Sequence, residues 1–394
     1  MTLRGQILRG QLVTGGRLLS DGVVEISGDR VVWAGPASQR TDPLPERAAA
    51  GTTIIPGLVD VHCHGAGGFG FPEADAFGST VAADHHRTNG TTSVIGSLVS
   101  APPQILRSRI ELLAGLVDEG TLAGIHLEGP FLSVLRCGAQ DPDSILDGDP
   151  ALLESLLEAG RGHIRSMTIA PETAHFDELA SLLERHGAVV SIGHTDASNP
   201  IATRSIAHSA HAPLSATHLF NGMAPMHHGA PGAVAACLAA AAKGQMVVEL
   251  VGDGVHLADE TVATVFDLVG PHQIALVSDA MAAAGMPDGR YPLGPLDVDV
   301  VGGVARLAGQ GETAIAGGTS RLMDIVRRAV NHAGVDLLSA VIAATATPAS
   351  LMGLAGMVGD LVPGCRADLI VTGPELETRA VMAAGNWLMN YTES

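Results

Sequence analysis

His62 and His64 are two positions apart, the spacing at which two side chains of a β-strand point to the same side. Two imidazoles so placed can share one metal ion at the ~2.0–2.1 Å typical of zinc–nitrogen bonds. An H-x-H pair is weak evidence in a chain with 17 histidines. It gains force from the apolar Pro56-Gly57-Leu58-Val59 ahead of it, which sets the pair at the mouth of a buried strand. His194 and His218, taken singly, read as hydrogen-bonded core or surface histidines, but each closes an apolar run. Glu128 closes another, where a carboxylate is costly to bury unless paired or bound to metal. Asp279 can act as a general acid–base or cap a helix begun by Met281-Ala-Ala-Ala. His256, after Asp253, reads by itself as a surface histidine before a helix starting at Asp259-Glu260.

These residues need a scaffold that gathers strand ends. Short apolar runs fall at Thr53–Val61, Thr91–Val99, Leu122–Leu127, Arg165–Ala170, Ala188–Gly193, Pro213–Thr217, Met246–Gly252 and Gln273–Ser278. Helical stretches such as Ile105–Val117, Ala151–Ala159, Phe176–Arg185 and Asp259–Leu268 separate some of them. Eight runs with helical crossovers match a (β/α)8 TIM-type barrel, whose strand C-termini converge on one catalytic face. A doubly wound open sheet is the rival, but no G-x-G-x-x-G follows the first run. Gly10–Val13, Gly22–Ser27, Arg30–Ala34 and Ala367–Thr372 are β-branched segments between turn residues. The expected organisation is therefore a small β-sandwich from residues 1–54 and 356–394 around a barrel at 55–355.

Composition bounds the function. A formal charge of −19 with 22 basic residues argues against nucleic acid as a partner. No apolar run reaches the ~20 residues that span a bilayer, and the start lacks a secretory signal, so a cytoplasmic location is expected. Cys63, Cys137, Cys237 and Cys365 have no C-x-x-C spacing and read as reduced thiols.

The ordered set P-G-L-V-D-x-H-x-H, H-L-E-G-P-F, G-H-T, T-H-L-F-N-G-M, D-G-V-H and S-D-A-M resembles the N-acetylglucosamine-6-phosphate deacetylases of the amidohydrolase superfamily. The match runs from Pro56 to Asp368 and includes the closing P-G-x-x-A-D-L. The resemblance implies metal-dependent removal of the acetyl group from N-acetylglucosamine 6-phosphate. It implies Glu128, His194 and His218 as ligands of one ion, with His62, His64 and Glu128 available to a second. Asp279 becomes the acid–base and His256 the polariser of the acetyl carbonyl. Contacts to the sugar are expected from Ala139, Gln140, Asn221, Gly222, Asp253 to His256, and Ile315, Ala316, Gly317 and Gly318. The cofactor is one or two divalent ions, zinc first, since iron, manganese and cobalt suit the same donors. The expected partners are the small amino sugar and a second copy of the chain, without nucleic acid or membrane.

Lys243 is the only lysine and lies beyond His218, out of order for the carboxylated lysine that bridges metals in many amidohydrolases. A bridging carboxylate must then come from Glu128. Two departures concern the sugar: Gln140 stands where the family carries histidine, and Gly229 where it carries the arginine that grips phosphate. Glycine offers no bidentate cation, although His227 and His228 are adjacent. An unphosphorylated or different N-acyl substrate is the alternative. A non-catalytic barrel is disfavoured because every implied metal ligand is retained.

Overall fold

Eight parallel strands form the central sheet: Val59–Cys63, Ser93–Val99, Gly124–Glu128, Ile164–Ile169, Val189–Ile192, Leu214–Ala216, Val247–Leu250 and Ile274–Leu276. The structure, a computed structural model, describes residues 6–209, 211–309 and 314–388. Each strand pairs with its neighbour in chain order, with helices such as Pro103–Asp118, Phe176–Arg185 and Asp259–Val269 as crossovers. Ser93–Val99 is buried throughout, as expected for a parallel strand covered on both faces. The eighth strand returns to the first at the top. There the Asp279 N–H donates to the His62 carbonyl at 2.9 Å, and the His64 N–H to that of Ala280 at 2.7 Å. The barrel is thereby closed next to the H-x-H pair.

A second buried apolar cluster joins Val59, Val61, Val251 and Val277 to Leu351, Met352, Leu354 and Val358, from the end of the last helix and the chain after it.

A seven-stranded sheet is built from both ends of the chain. Its order is Asn386–Trp387, Thr378–Ala383, Leu369–Thr372, Thr53–Pro56, Gln6–Thr14, Arg17–Ser27 and Arg30–Pro36. The first expected run is therefore two strands. Thr53–Pro56 pairs with Leu369–Thr372 in this sheet, and only Val59–Cys63 enters the barrel. Gly57 makes the join, where a side chain would overlap Thr92. A further element had no counterpart in the reading of the sequence. Gly289–Leu293, Leu296–Val301 and Val304–Leu307 form a three-stranded antiparallel sheet packed on Val99, Met281 and Ala316. All four cysteines are unpaired, and among the described residues no helix is long and apolar enough to cross a membrane.

Candidate active site

The residues singled out at the strand ends converge. His62 and His64 leave the first barrel strand on the same side, their Nε2 atoms 3.1 Å apart. His194 and His218, after the fifth and sixth strands, bring their Nε2 atoms to 3.2 Å. Glu128 stands between the pairs. Its Oε1 is 2.9 Å from the Nε2 of both His194 and His218, and its Oε2 is 3.3 Å from that of His64. Asp279 lies opposite, with Oδ1 at 3.5 Å from His62 and 3.4 Å from His64. It therefore reaches the His pair as well as the cavity.

The backbone makes these approaches by unusual turns. His194, His218 and Asp279 have φ values of +45°, +27° and +47°, a left-handed conformation that non-glycine residues rarely adopt. Such strain is commonly retained at functional sites. Met281 to Gly285, beyond Asp279, form turns rather than a helix, so Asp279 caps none. Gly222 matters for space: a Cβ there would lie 2.8 Å from the His194 ring.

Hydrogen bonds behind the rings set two of the tautomers. His62 Nδ1 donates to Glu249 Oε2 at 3.0 Å, and His194 Nδ1 to the Arg136 carbonyl at 2.7 Å. A proton fixed on Nδ1 leaves Nε2 as a lone-pair donor facing the centre. Below this layer a polar chain crosses the barrel. Ser97 Oγ accepts the Cys63 N–H at 2.9 Å and lies 3.0 Å from His126 Nδ1. His126 Nε2 is hydrogen-bonded to Thr168 Oγ1 at 2.9 Å, and Thr168 Oγ1 to Thr217 Oγ1 at 2.7 Å. The His126 ring meets His62 edge-on, with centroids 4.5 Å apart. Burial and the neighbouring imidazoles hold His126 well below the usual histidine range, so it stays neutral.

Above it the electrostatics favour a cation. Burial pushes His62 down, but Asp279, Glu128 and Glu249 outweigh it and raise the ring to about 10. His64 is likewise raised to about 9, mainly by Asp279 and Glu128 against burial. Burial pushes Glu128 and Asp279 up, yet the surrounding histidines hold both below the ordinary carboxylate range. Paired ring nitrogens this close, facing buried carboxylates, form a donor set suited to divalent ions. Two groups, His62–Glu128–His218 and His62–His64–Asp279, have all their donor atoms within 4.8 Å of one another.

The centre opens into a cavity of about 320 Å³ lined by Gly138, Ala139, Gln140, Phe220, Asn221, Gly222, His256, Leu293, Ala314, Ile315 and Gly317, with Val99 beside the metal-ligating candidates. The His256 side chain is 4% exposed, not on the surface. Its Nδ1 is 2.8 Å from Asp253 Oδ2, and its Nε2 is 3.7 Å from Asp279 Oδ2. Burial lowers His256, but Asp253 and Asp279 more than compensate and raise it.

Residues 53–388 match the amidohydrolase family. The chain belongs to that family. Among solved structures, it is similar to a mutant N-acetyl-D-glucosamine-6-phosphate deacetylase from Mycobacterium smegmatis in complex with N-acetyl-D-glucosamine-6-phosphate. The two are 39% identical with a TM-score of 0.92, over 98% of this chain and all of that one. The N-acetylglucosamine-6-phosphate deacetylase of Bos taurus is 30% identical over 99% of this chain and 94% of its own length. The N-acetylgalactosamine-6-phosphate deacetylase of Escherichia coli O157:H7 is also 30% identical, over 87% and 90%.

Several positions differ from what the sequence suggested for this amidohydrolase. Gln140 lines the cavity, and its amide also bonds away from it. Nε2 donates to Glu128 Oε2 at 2.6 Å, and Oε1 accepts the Ser100 N–H at 2.7 Å. Asn221 Nδ2 similarly donates to the His218 carbonyl at 3.2 Å. Ala316 and Gly318 are not at the wall. In the extended segment, Ala316 alternates into the apolar cluster under the small antiparallel sheet, while the Gly318 N–H donates to the Asp279 carbonyl at 2.6 Å. Asp253 serves His256. Glu249 was not singled out, because one glutamate in Val247-Val-Glu-Leu250 reads only as a polar residue in a strand.

Proposed function

We propose that this chain hydrolyses the N-acetyl amide of N-acetylglucosamine 6-phosphate, releasing glucosamine 6-phosphate and acetate. The observation that carries the reading is Asp279, with one carboxylate oxygen beside His62 and His64 and the other toward His256 across the cavity. The similarity to the Mycobacterium smegmatis enzyme that binds this sugar phosphate supports it.

Glu128, His194 and His218 would hold one divalent ion, and His62 and His64 with Glu128 or Asp279 a second; zinc leads, with iron, manganese or cobalt as alternatives. Bound there, such an ion supplies Lewis acidity to the amide carbonyl and lowers the pKa of the attacking water. Asp279 takes the proton of that water and returns it to the departing nitrogen. His256, held by Asp253 through Nδ1, donates from Nε2 to the carbonyl oxygen and steadies the negative charge that develops there. Val99, Phe220, Leu293 and Ile315 offer apolar walls that limit water around the reacting amide. A homodimer is part of the same proposal.

A second reading, a deacetylase indifferent to phosphate, is favoured by one observation. Among the described residues, no lysine or arginine lines the cavity. The test is kcat/KM on N-acetylglucosamine and N-acetylgalactosamine, each free and 6-phosphorylated. The proposal expects N-acetylglucosamine 6-phosphate to lead. Equal rates on free and phosphorylated N-acetylglucosamine would select the second reading, and a lead for the galactose epimer would move the assignment to that sugar. No acetate from any of the four would overturn both.

A further inference from the structure

We propose that Glu249 is a positioning residue that enables the His62–His64 half of the centre to hold its own divalent ion. The proposal rests on the metal-dependent reading above but concerns ion binding without substrate. Glu249 lies on the seventh barrel strand, 2% exposed, remote in sequence from the residues it serves. Its Oε2 accepts from His62 Nδ1 at 3.0 Å and from the backbone N–H of His218 at 3.2 Å. Its own carbonyl accepts the Leu219 N–H at 2.8 Å. One buried carboxylate therefore ties the H-x-H strand to the turn that carries His218.

The consequence for His62 is chemical. With Nδ1–H held by Glu249, Nε2, 3.1 Å from His64 Nε2 and 3.5 Å from Asp279 Oδ1, is the nitrogen left to exchange its proton for an ion. A carboxylate behind a ligating imidazole fixes the tautomer and raises its basicity. The other rings lack this support. His194 leans on a neutral carbonyl, and the Nδ1 atoms of His64 and His218 are buried without a hydrogen-bond partner. Charge acts in the same direction. Glu249 adds a further buried carboxylate to those of Glu128 and Asp279, offsetting part of the charge that two divalent ions would bring.

The test compares wild type, Glu249→Gln, Glu249→Leu and the double variant His62→Asn/His64→Asn. Each is loaded with Zn²⁺, dialysed against a graded series of a weak chelator, and assayed for zinc per chain, with thermal unfolding as the fold control. Wild type should hold two ions. Glu249→Gln, nearly isosteric and still an acceptor, should lose the weaker ion at about 10–100-fold lower chelator while keeping the other unchanged. Glu249→Leu should match the double His variant at one ion. Three results would overturn the proposal: a wild type that holds only one ion at saturation, both Glu249 variants keeping two at wild-type affinity, or equal weakening of both ions. No substrate is present, so a failure here is separate from a wrong substrate.

Discussion

Gln140 Nε2 lies 2.6 Å from Glu128 Oε2, while the other oxygen of that carboxylate faces His194 and His218. A residue expected to bind sugar is thus the clamp on the carboxylate that joins the two histidine pairs.

The clamp has a kinetic signature. Gln140→Leu removes a hydrogen bond to a charged group, worth ~1.5–3 kcal/mol, and leaves the Ser100 N–H without its acceptor. We expect kcat/KM to fall about 10–100-fold together with weaker metal retention, as for other groups that orient a ligand. Gln140→His, which restores a donor, should recover part of both. A raised KM with full metal content would instead make Gln140 a sugar contact.

Metal-free protein should lose stability as pH rises. The folded-state pKa values of His62 and His64, about 10 and about 9, lie above the ordinary histidine value near 6.5. The stabilisation these imidazolium rings give is complete below about pH 6.5 and disappears as pH climbs through 9 and 10. Bound ions replace those protons, so loading becomes more favourable with pH. Thermal unfolding in excess chelator should therefore show Tm falling from pH 6.5 to 10, with the gap to zinc-loaded protein widening. A metal-free Tm that rises over this range would contradict the charge balance derived for the site.

Asp279→Asn should keep the fold, because the backbone N–H and carbonyl of residue 279, not its carboxylate, close the barrel against His62 and Gly318. An amide cannot shuttle a proton, so kcat should fall by ~10²–10⁴. The carboxylate also lies within reach of His62 and His64, and zinc content should drop toward one ion per chain. Near-normal kcat would remove Asp279 from the proton path.

His62, His64, Glu128, His194, His218 and Asp279 were legible because each ends an apolar run, and a barrel brings run ends together. Period-2 logic also placed both H-x-H rings on one side. What it could not supply was partnership across the barrel. Glu249 and His62 meet although they lie on the seventh and first strands, and nothing in Val247-Val-Glu-Leu250 specifies what its glutamate faces. Gln140 is similar: its type allows a sugar contact, and nothing in the sequence shows that it also bonds to Glu128 and Ser100. The small sheet at Gly289–Leu307 was missed because its strands are short and exposed on one side, with little continuous apolar signal. The split of Thr53–Val61 escaped for the opposite reason, both halves being uniformly buried.

The last prediction concerns phosphate. At position 229 the family resemblance leads one to expect an arginine, and the cavity lining, among the described residues, supplies no lysine or arginine in its place. Wild type should then prefer phosphorylated over free N-acetylglucosamine less strongly than a relative bearing that arginine. A side chain fits at this position: Gly229 has an ordinary φ, and a Cβ would meet only the His227 ring, at 3.6 Å. Gly229→Arg should therefore leave Tm unchanged. It should raise the preference about tenfold or more, as a well-placed charge-assisted bond of ~1.5–3 kcal/mol would. The measurement is kcat/KM on both sugars at acid and alkaline pH. A wild-type preference that weakens as pH rises through the range where histidines titrate would point to His227 or His228, whose ring centroids lie 4.1 Å apart, as the phosphate contact. A large preference independent of pH, with no gain from Gly229→Arg, would refute the prediction and assign the phosphate to a permanently charged group outside this cavity wall.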